Sequence, residues 1–410
     1  RDRTCGNETD KADDADIILV STCAVTSQAV SDARQYVRQI SLSKRSRIVV
    51  AGCAVTAAPG DFAISGVSAI IPHKDKHMLL NMHPFDSFEL PSKDIPWTYP
   101  PFRICSFVRS RPIVKVQDGC SQGCAYCIVP FSRGPARSRQ LDDIADEIER
   151  LLLAGYREIT LSGINLRQFH ADDLHGKNFW SLLRYLDNKF YKQWRGRARF
   201  RLSSLDPSQL VGQEGIETLE QCRMLCPHLH LSLQSGSPGV LKRMRRFPYS
   251  PQDIEMSIAK IRRFWPILGL GADFLMGFPG ETSHEVNETL ELIKKLPFTY
   301  AHVFPYSVRP GTQAALLDGQ LDKRKKQEHA KVVRALVEEK KKAFLMAQLT
   351  VCEMSVAFDG DGTAHGVNEW YADCRMEGNL ARDQKKSHEL ILCEPIRADA
   401  DSLVVKQKEK

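Results

Sequence analysis

The sequence predicts an α/β chain in three parts: a small N-terminal α/β domain, a partial parallel barrel with crossover helices, and a small C-terminal β-barrel. Three observations carry this. At 410 residues the chain is too long for one ordinary domain. Over its first three quarters, short apolar runs of parallel-strand type alternate with helical patterns. After residue 350 the pattern turns to short alternating strands separated by Gly-Asp turns.

Residues 15–21 (ADIILVS) read as a buried strand, and 27–42 as a helix with Val30, Ala33, Val37 and Ile40 on one face. Residues 47–53 (RIVVAGC) and 67–72 read as two further strands. Cys23 and Cys53 therefore fall at C-terminal strand ends, the edge of an open α/β sheet where ligands gather. The proline-rich stretch 83–101 reads as a linker. Strands then follow at 113–117, 158–162, 200–205, 228–234, 272–276 and 301–306, with helices between them such as 141–153, 251–265 and 285–295. This repetition implies a parallel sheet curved into a partial barrel. Residues 322–349 form a long Lys-rich helix, and 351–358, 362–364 and 390–394 are strands of an OB-like barrel. The expected domains are 1–82, a linker at 83–110, 111–348, and 349–410.

Composition narrows the function classes. A hydrophobic fraction of 42% with 26% charged residues is that of a globular protein, and the formal net charge of +7 permits a nucleic-acid partner without demanding one. No apolar run approaches the roughly 18 residues of a membrane span, and the N-terminus has no signal-peptide pattern. The expectation is a cytoplasmic protein with no membrane partner. The chain does not begin with Met, and an N-terminal truncation is expected. Twelve cysteines without a secretory signal point to metal or catalytic chemistry instead of a disulfide framework.

The densest signal is Gly119-Cys120-Ser-Gln-Gly-Cys124-Ala-Tyr-Cys127, which follows directly on the strand at 113–117. Three thiolates on one tight loop suit a cubane cluster, a group normally held by four. With no fourth cysteine or histidine nearby, one iron is left for a small-molecule ligand. Structural zinc, the competing reading, usually takes four protein ligands. Gly119 and Gly123 fit a loop that needs unusual backbone angles.

Residues 116–130 (VQDGCSQGCAYCIVP), Arg133-Gly134 and Arg137-Ser138-Arg139 resemble the radical loop of the radical S-adenosylmethionine methylthiotransferases. The resemblance continues through LSGIN (161–165), RLSSLDP (201–207), HLHLSLQSGSPGVLKRMRR (228–246), GFPGE (277–281) and HVFPYSVRPGT (302–312). Upstream, STCAV (21–25) and Gly52-Cys53-Ala54 match the family's N-terminal domain. The Cys-Ala-Val-Thr and HVFPYS-x-RPGT strings are most similar to the branch that modifies threonylcarbamoyl-adenosine in tRNA.

The resemblance implies a radical-SAM barrel and a tRNA methylthiotransferase with two 4Fe-4S clusters and S-adenosyl-L-methionine. Cys120, Cys124 and Cys127 would hold the radical cluster. Cys23 and Cys53 would match two of the three ligands of an auxiliary cluster. The segment that normally carries the other ligand is absent, and the context of Cys5 does not match it. Ser162 and Gly163 would meet the amino group of S-adenosylmethionine, with Ser203, Gln234 and Gly277 at neighbouring strand ends. The implied reaction adds a methylthio group to C2 of the adenine. The partners implied are tRNA and an electron donor such as flavodoxin or ferredoxin, and the chain is expected to be a monomer. Isopentenyl-adenosine in tRNA and a ribosomal-protein side chain are alternative substrates. A non-catalytic RNA-binding metal protein and an inactive truncated homologue are readings of another class.

Candidates for RNA contact are Arg133, Arg137 and Arg139, the period-two series Arg195, Arg197, Arg199 and Arg201, and residues 242–246 (KRMRR). For the period-two series a solvated strand start is the preferred explanation. The terminal barrel resembles the TRAM module, where Trp370 and Tyr371 are candidates for stacking on bases or for its core. Cys222, Cys226, His228 and His230 read as packed core, both cysteines lying on a helix before the strand. Cys105, Cys352, Cys374 and Cys393 read as ordinary thiols.

Overall fold

The computed structural model describes residues 14–42, 46–81, 107, 109–171, 178–246, 248–359, 364–378 and 388–408. The linker stretch 83–101, Cys5 and Cys105 lie outside the described residues. The chain divides into two compact units.

The first unit comprises Arg1–Pro101, Gly119–Ala136 and Ser307–Leu316. Strands β1 (Ile17–Thr22), β2 (Arg47–Gly52) and β3 (Val67–Pro72) form a parallel sheet in that order. Helix α1 (Ser27–Ser41) starts at Thr26, whose side chain accepts the N–H of Ala29 at 3.1 Å and satisfies a donor at the helix start. It buries Val37 and Ile40. The expected strand at 47–53 stops one residue early, and Cys53 opens a short helix α2 (Cys53–Ala57). Residues 119–136 contribute helix α3 (Val129–Arg133), and Ile128 just before it packs into the core of Val20, Val37, Val50 and Phe62.

The second unit comprises Phe102–Asp118, Arg137–Tyr306 and Leu317–Lys410. Its strands are β4 (Ile113–Asp118), β5 (Arg137–Ser138), β6 (Glu158–Gly163), β7 (Arg199–Leu202), β8 (His228–Gln234), β9 (Gly269–Met276) and β10 (Tyr300–Pro305). One sheet runs β5-β4-β6-β7 and another β8-β9-β10. Parallel bridges Phe200↔Leu225 and Leu205↔Leu231 link the β7 and β8 segments. Crossovers are made by α4 (Leu141–Leu153), α5 (Phe179–Trp194), α6 (Gln213–Gln221), α7 (Pro238–Arg243), α8 (Pro251–Phe264) and α9 (Ser283–Lys295). The side chains of Leu229, Leu231 and Leu233 on β8, and of Leu270, Ala272, Phe274 and Met276 on β9, share one hydrophobic core with Ile254, Ile258, Leu292 and Ile293 from the helices. Strand alternation therefore sends the intervening residues to the opposite face.

Helix α10 (Lys323–Gln348) is capped by Asp322, whose carboxylate accepts the N–H of Lys325 at 2.8 Å. It leads into a closed barrel of β11 (Met354–Phe358), β12 (His365–Asn368), β13 (Asp373–Met376), β15 (Leu403–Gln407) and β14 (Leu390–Ala398). The barrel meets the sequence expectation, although β13 and β15 were not foreseen and the expected strand at 362–364 lies mostly outside the described residues.

Candidate radical-cluster and cofactor sites

The cysteine loop leaves β4 at Asp118, a buried carboxylate held by Lys115 Nζ at 2.8 Å. Gly119 follows with φ +70°, and a Cβ there would come within 2.0 Å of the Pro135 carbonyl oxygen. Only glycine allows this crossing of chains. The loop is closed by Cys120 N–H to Gly134 O at 3.1 Å, Cys127 N–H to Cys124 O at 3.0 Å and Ala136 N–H to Ser121 Oγ at 3.2 Å. The N–H of Gln122 also points at Cys120 Sγ, 3.4 Å away. Such N–H to sulfur contacts set the potential of a cluster bound to the thiolate. The donor set of Cys120, Cys124 and Cys127, on a loop of backbone donors, fits an iron–sulfur cluster better than a closed four-ligand zinc site.

The same unit contains Cys23 and Cys53. Cys23 is exposed just beyond β1, and its sulfur accepts the N–H of Val25 at 3.5 Å. Cys53 is buried, with its sulfur 3.8 Å from His73 Nδ1. Burial pushes this thiol up, but the His73 ring and the Arg133 guanidinium outweigh burial and hold it below its ordinary range. Arg133, read as a possible RNA contact, is thus a neighbour of Cys53. Segment 307–316 ties this unit together. Ser307 Oγ bonds both the N–H and the hydroxyl of Ser27, and Ala314 N–H reaches Ala125 O between two radical-loop cysteines at 2.8 Å. Arg309 on this segment is buried within electrostatic reach of Cys23.

In the second unit, Ser162 and Gly163 end β6 as expected. Beside them, the fully buried Gln117 accepts the N–H of Asn165 at 2.9 Å. Ser203 follows β7, and its buried hydroxyl has no hydrogen-bond partner among the described residues. An orphaned buried hydroxyl at a parallel-strand end is a donor awaiting a ligand. Gln234 ends β8 with a left-handed φ of 70°, an uncommon conformation for a non-glycine residue. Gly277 follows β9 and donates its N–H to Glu281 Oε2 at 2.5 Å.

Several arginines expected at an RNA surface are buried in ion pairs. Arg139 is fully buried against Asp143 and Glu147. Arg199 and Arg201 both clasp Glu158, with Nε to carboxylate distances of 2.6 and 2.7 Å. Burial would raise the Glu158 carboxyl, yet Arg201 and Arg199 hold it down to about 2. The solvated-strand reading therefore fails for these two. The sequence showed their common face, but not the carboxylate on the neighbouring strand. In the KRMRR stretch, Arg243 pairs with Glu285 and Arg246 with the buried Asp206, so neither is left for phosphate.

Tyr371 keeps 38% of its surface exposed, but its ring is already engaged within the protein. Its ring stacks on His228 at 4.6 Å and lies beneath Arg201. Cys226 lies beyond helix α6, contrary to expectation, and Cys222 caps it. Both thiols are buried, and burial raises them to about 11 and about 12, so they are inert core groups. His230 is buried, as the core reading has it, and its ring meets Asp273 on the neighbouring strand β9, whose carboxylate also meets His302 on β10.

Residues 114–293 match the family described as the radical SAM superfamily, and residues 4–68 match uncharacterized protein family UPF0004. The chain is 34% identical to threonylcarbamoyladenosine tRNA methylthiotransferase MtaB of Bacillus subtilis, covering 80% of this chain and 74% of that one. It is 35% identical to the protein of the same name from Chlamydia pneumoniae, over 75% and 69% of the two chains. The tRNA-2-methylthio-N(6)-dimethylallyladenosine synthase of Clostridium tetani is 38% identical, but over only 52% of this chain and 45% of its own. Among solved structures, the radical S-adenosylmethionine methyltransferase TsrM of Kitasatospora setae shares the fold with a TM-score of 0.53 at 16% identity, over 71% of this chain and 63% of that one.

Proposed function

The chain belongs to the threonylcarbamoyladenosine tRNA methylthiotransferase family of radical S-adenosylmethionine enzymes, and from that premise we propose that it adds a methylthio group to C2 of N6-threonylcarbamoyladenosine next to the anticodon of tRNA. The observation that carries the reading is the loop of Cys120, Cys124 and Cys127, whose three thiols and glycine-dependent backbone suit a cluster with one open iron. Two relatives that modify threonylcarbamoyladenosine by name are 34% and 35% identical over 74% and 69% of their length, against 31% over 71% and 68% for two dimethylallyladenosine synthases.

Cys120, Cys124 and Cys127 would hold the 4Fe-4S cluster, and the strand ends at Ser162, Gly163, Ser203, Gln234 and Gly277 would receive S-adenosylmethionine. The cluster and S-adenosylmethionine, when bound, would supply radical chemistry that removes hydrogen from the substrate. The chain's own part is to orient and to exclude. The orphaned Ser203 hydroxyl offers S-adenosylmethionine a hydrogen bond. The buried Gln117 fixes the backbone after Gly163. Cys23 and Cys53 would hold a second cluster, which would supply the sulfur, with the Arg309 charge within electrostatic reach of Cys23. No further cysteine of the first unit outside the radical loop is among the described residues. A flavodoxin or ferredoxin supplies the electron, and the enzyme works as a cytoplasmic monomer.

The test is anaerobic iron and sulfide analysis with electron paramagnetic resonance, followed by mass spectrometry of tRNA nucleosides after incubation with S-adenosylmethionine and a reductant. About eight irons per chain, about half of them lost from the Cys120→Ala/Cys124→Ala/Cys127→Ala variant, are expected for two cubanes. Methylthiolation of threonylcarbamoyladenosine, and not of dimethylallyladenosine, is the expected product. Zinc in place of iron would overturn the reading. About four irons with cofactor cleavage but no methylthio product would leave a radical enzyme and remove the second-cluster assignment.

A further inference from the structure

The non-helical face of β8-β9-β10 carries a constellation that the methylthiolation reading does not use. His230 on β8, Asp273 on β9 and His302 on β10 come from three adjacent parallel strands. His230 Nε2 lies 3.0 Å and His302 Nδ1 3.1 Å from the same carboxylate oxygen, Asp273 Oδ1. The two imidazole rings are 5.1 Å apart, and the three ligand atoms all fall within 4.8 Å of one another. An ion about 2.1 Å from each of two neighbouring ligands in an octahedral sphere separates them by about 3.0 Å. The nitrogen–oxygen edges here have that length.

The surroundings complete the pattern. The other ring nitrogen of His230, Nδ1, is 2.9 Å from Tyr300 Oη, which is also 2.9 Å from His228 Nε2. A metal-ligating histidine normally gives its second ring N–H to such an acceptor, which fixes the tautomer and aims the free lone pair at the ion. With Nδ1–H donated to Tyr300, the tyrosine hydroxyl hydrogen passes to His228 Nε2, and His230 Nε2 is left bare toward Asp273. On the other flank the His302 side chain is 57% exposed, so a captured ion keeps open positions. Two imidazoles and one carboxylate select divalent transition ions over magnesium or calcium.

We propose that His230, Asp273 and His302 form a binding site for one divalent transition-metal ion such as zinc or iron(II), separate from the cysteine sites, with Tyr300 orienting His230 and the remaining positions open to oxygen ligands. The proposal rests on the strand geometry and does not depend on the substrate assigned above. The competing arrangement is a hydrogen-bonded triad in which both histidines donate to Asp273, and it predicts no retained metal.

The experiment is anaerobic equilibrium dialysis of the cluster-loaded protein against micromolar zinc, with zinc, iron and sulfide measured together. X-ray absorption at the zinc edge follows. Wild type is expected to retain about one zinc per chain with iron unchanged, and a nitrogen and oxygen shell without sulfur. His302→Ala and Asp273→Asn should weaken zinc binding about a hundredfold, and Tyr300→Phe about tenfold. His284→Ala, on the exposed surface of α9, should bind as wild type does. No zinc retained by wild type, equal retention in His302→Ala, or sulfur in the zinc shell would each overturn the site. If Asp273→Asn or Tyr300→Phe proves unfolded by circular dichroism, the exposed His302 position decides alone.

Discussion

Gly119 shows what a single backbone position controls. Its φ of +70° and the Pro135 carbonyl beside it leave no room for a side chain. Gly119→Ala must move one of the two chain segments that bracket Cys120. We expect this variant to fold but to lose most of the iron assigned to Cys120, Cys124 and Cys127. Iron and sulfide analysis beside wild type checks this, and unchanged iron would remove the glycine from the argument. Glu158 is the electrostatic counterpart. Its carboxyl is held at about 2 by Arg201 and Arg199, against an ordinary value of 4.5. A depressed folded value stabilises the native state at pH above 4.5, and that contribution is lost as pH falls toward 2. Glu158→Gln leaves the buried Arg201 without its carboxylate partner and Arg199 with only Glu369, 3.8 Å away, and should cost about 3–5 kcal/mol near neutrality. Its stability gap to wild type should narrow steadily as pH falls through that window. Denaturant unfolding followed by circular dichroism measures the gap, and a gap independent of pH would show that the ion cluster is not its source.

Between residue and fold lie the elements, and here legibility depended on sequence distance. The radical loop was readable because its ligands sit on one turn, Cys120 to Cys127. The His230–Asp273–His302 group was not, because each member comes from a different strand and only parallel register brings them together. Likewise the even spacing of Arg199 and Arg201 revealed a shared face, but Glu158 on β6 and the carbonyls of the terminal barrel were invisible. Arg199 donates to the carbonyls of Ser355 and Val367, and Arg201 to those of Asn368 and Glu369. The turn after β12 is thereby clamped to β7, and the Trp370 carbonyl occupies the space that a Cβ on Gly269 would need. Tyr371 belongs to this clamp. Tyr371→Ala should lower stability by about 2 kcal/mol through lost ring packing. Its tRNA affinity should stay within about twofold of wild type, since base stacking on an aromatic is worth about 1–3 kcal/mol and would cost far more. A large loss of tRNA binding at unchanged stability would return Tyr371 to the RNA surface.

For the whole molecule, the clamp changes how the terminal barrel is understood. From sequence the terminal barrel reads as a TRAM-like module that follows one long helix. In the structure the barrel shares one compact unit with the parallel strands and helix α10. Its removal would strip Arg199 and Arg201 of their carbonyl acceptors and take Tyr371 away from His228. Two guanidiniums would then share Glu158 alone in a newly opened apolar surrounding. The uncovered guanidiniums would be hydrated, so the loss lies in the packing at this seam, where the Trp370 carbonyl sits against Gly269 and Tyr371 against His228, and it counts against an ordinary domain's stability of about 5–15 kcal/mol. A chain ending at Gln348 should therefore be insoluble or melt well below the full-length protein, instead of being a stable enzyme with weaker tRNA binding. Replacing Arg199 and Arg201 with methionine in the shortened chain should not restore its solubility, because the uncovered face then gains apolar groups. Sedimentation and thermal melts of the full-length, shortened and doubly substituted chains separate the two accounts. A shortened chain that stays soluble and melts with wild type would make the barrel a detachable module after all, and the clamp a contact without energetic weight.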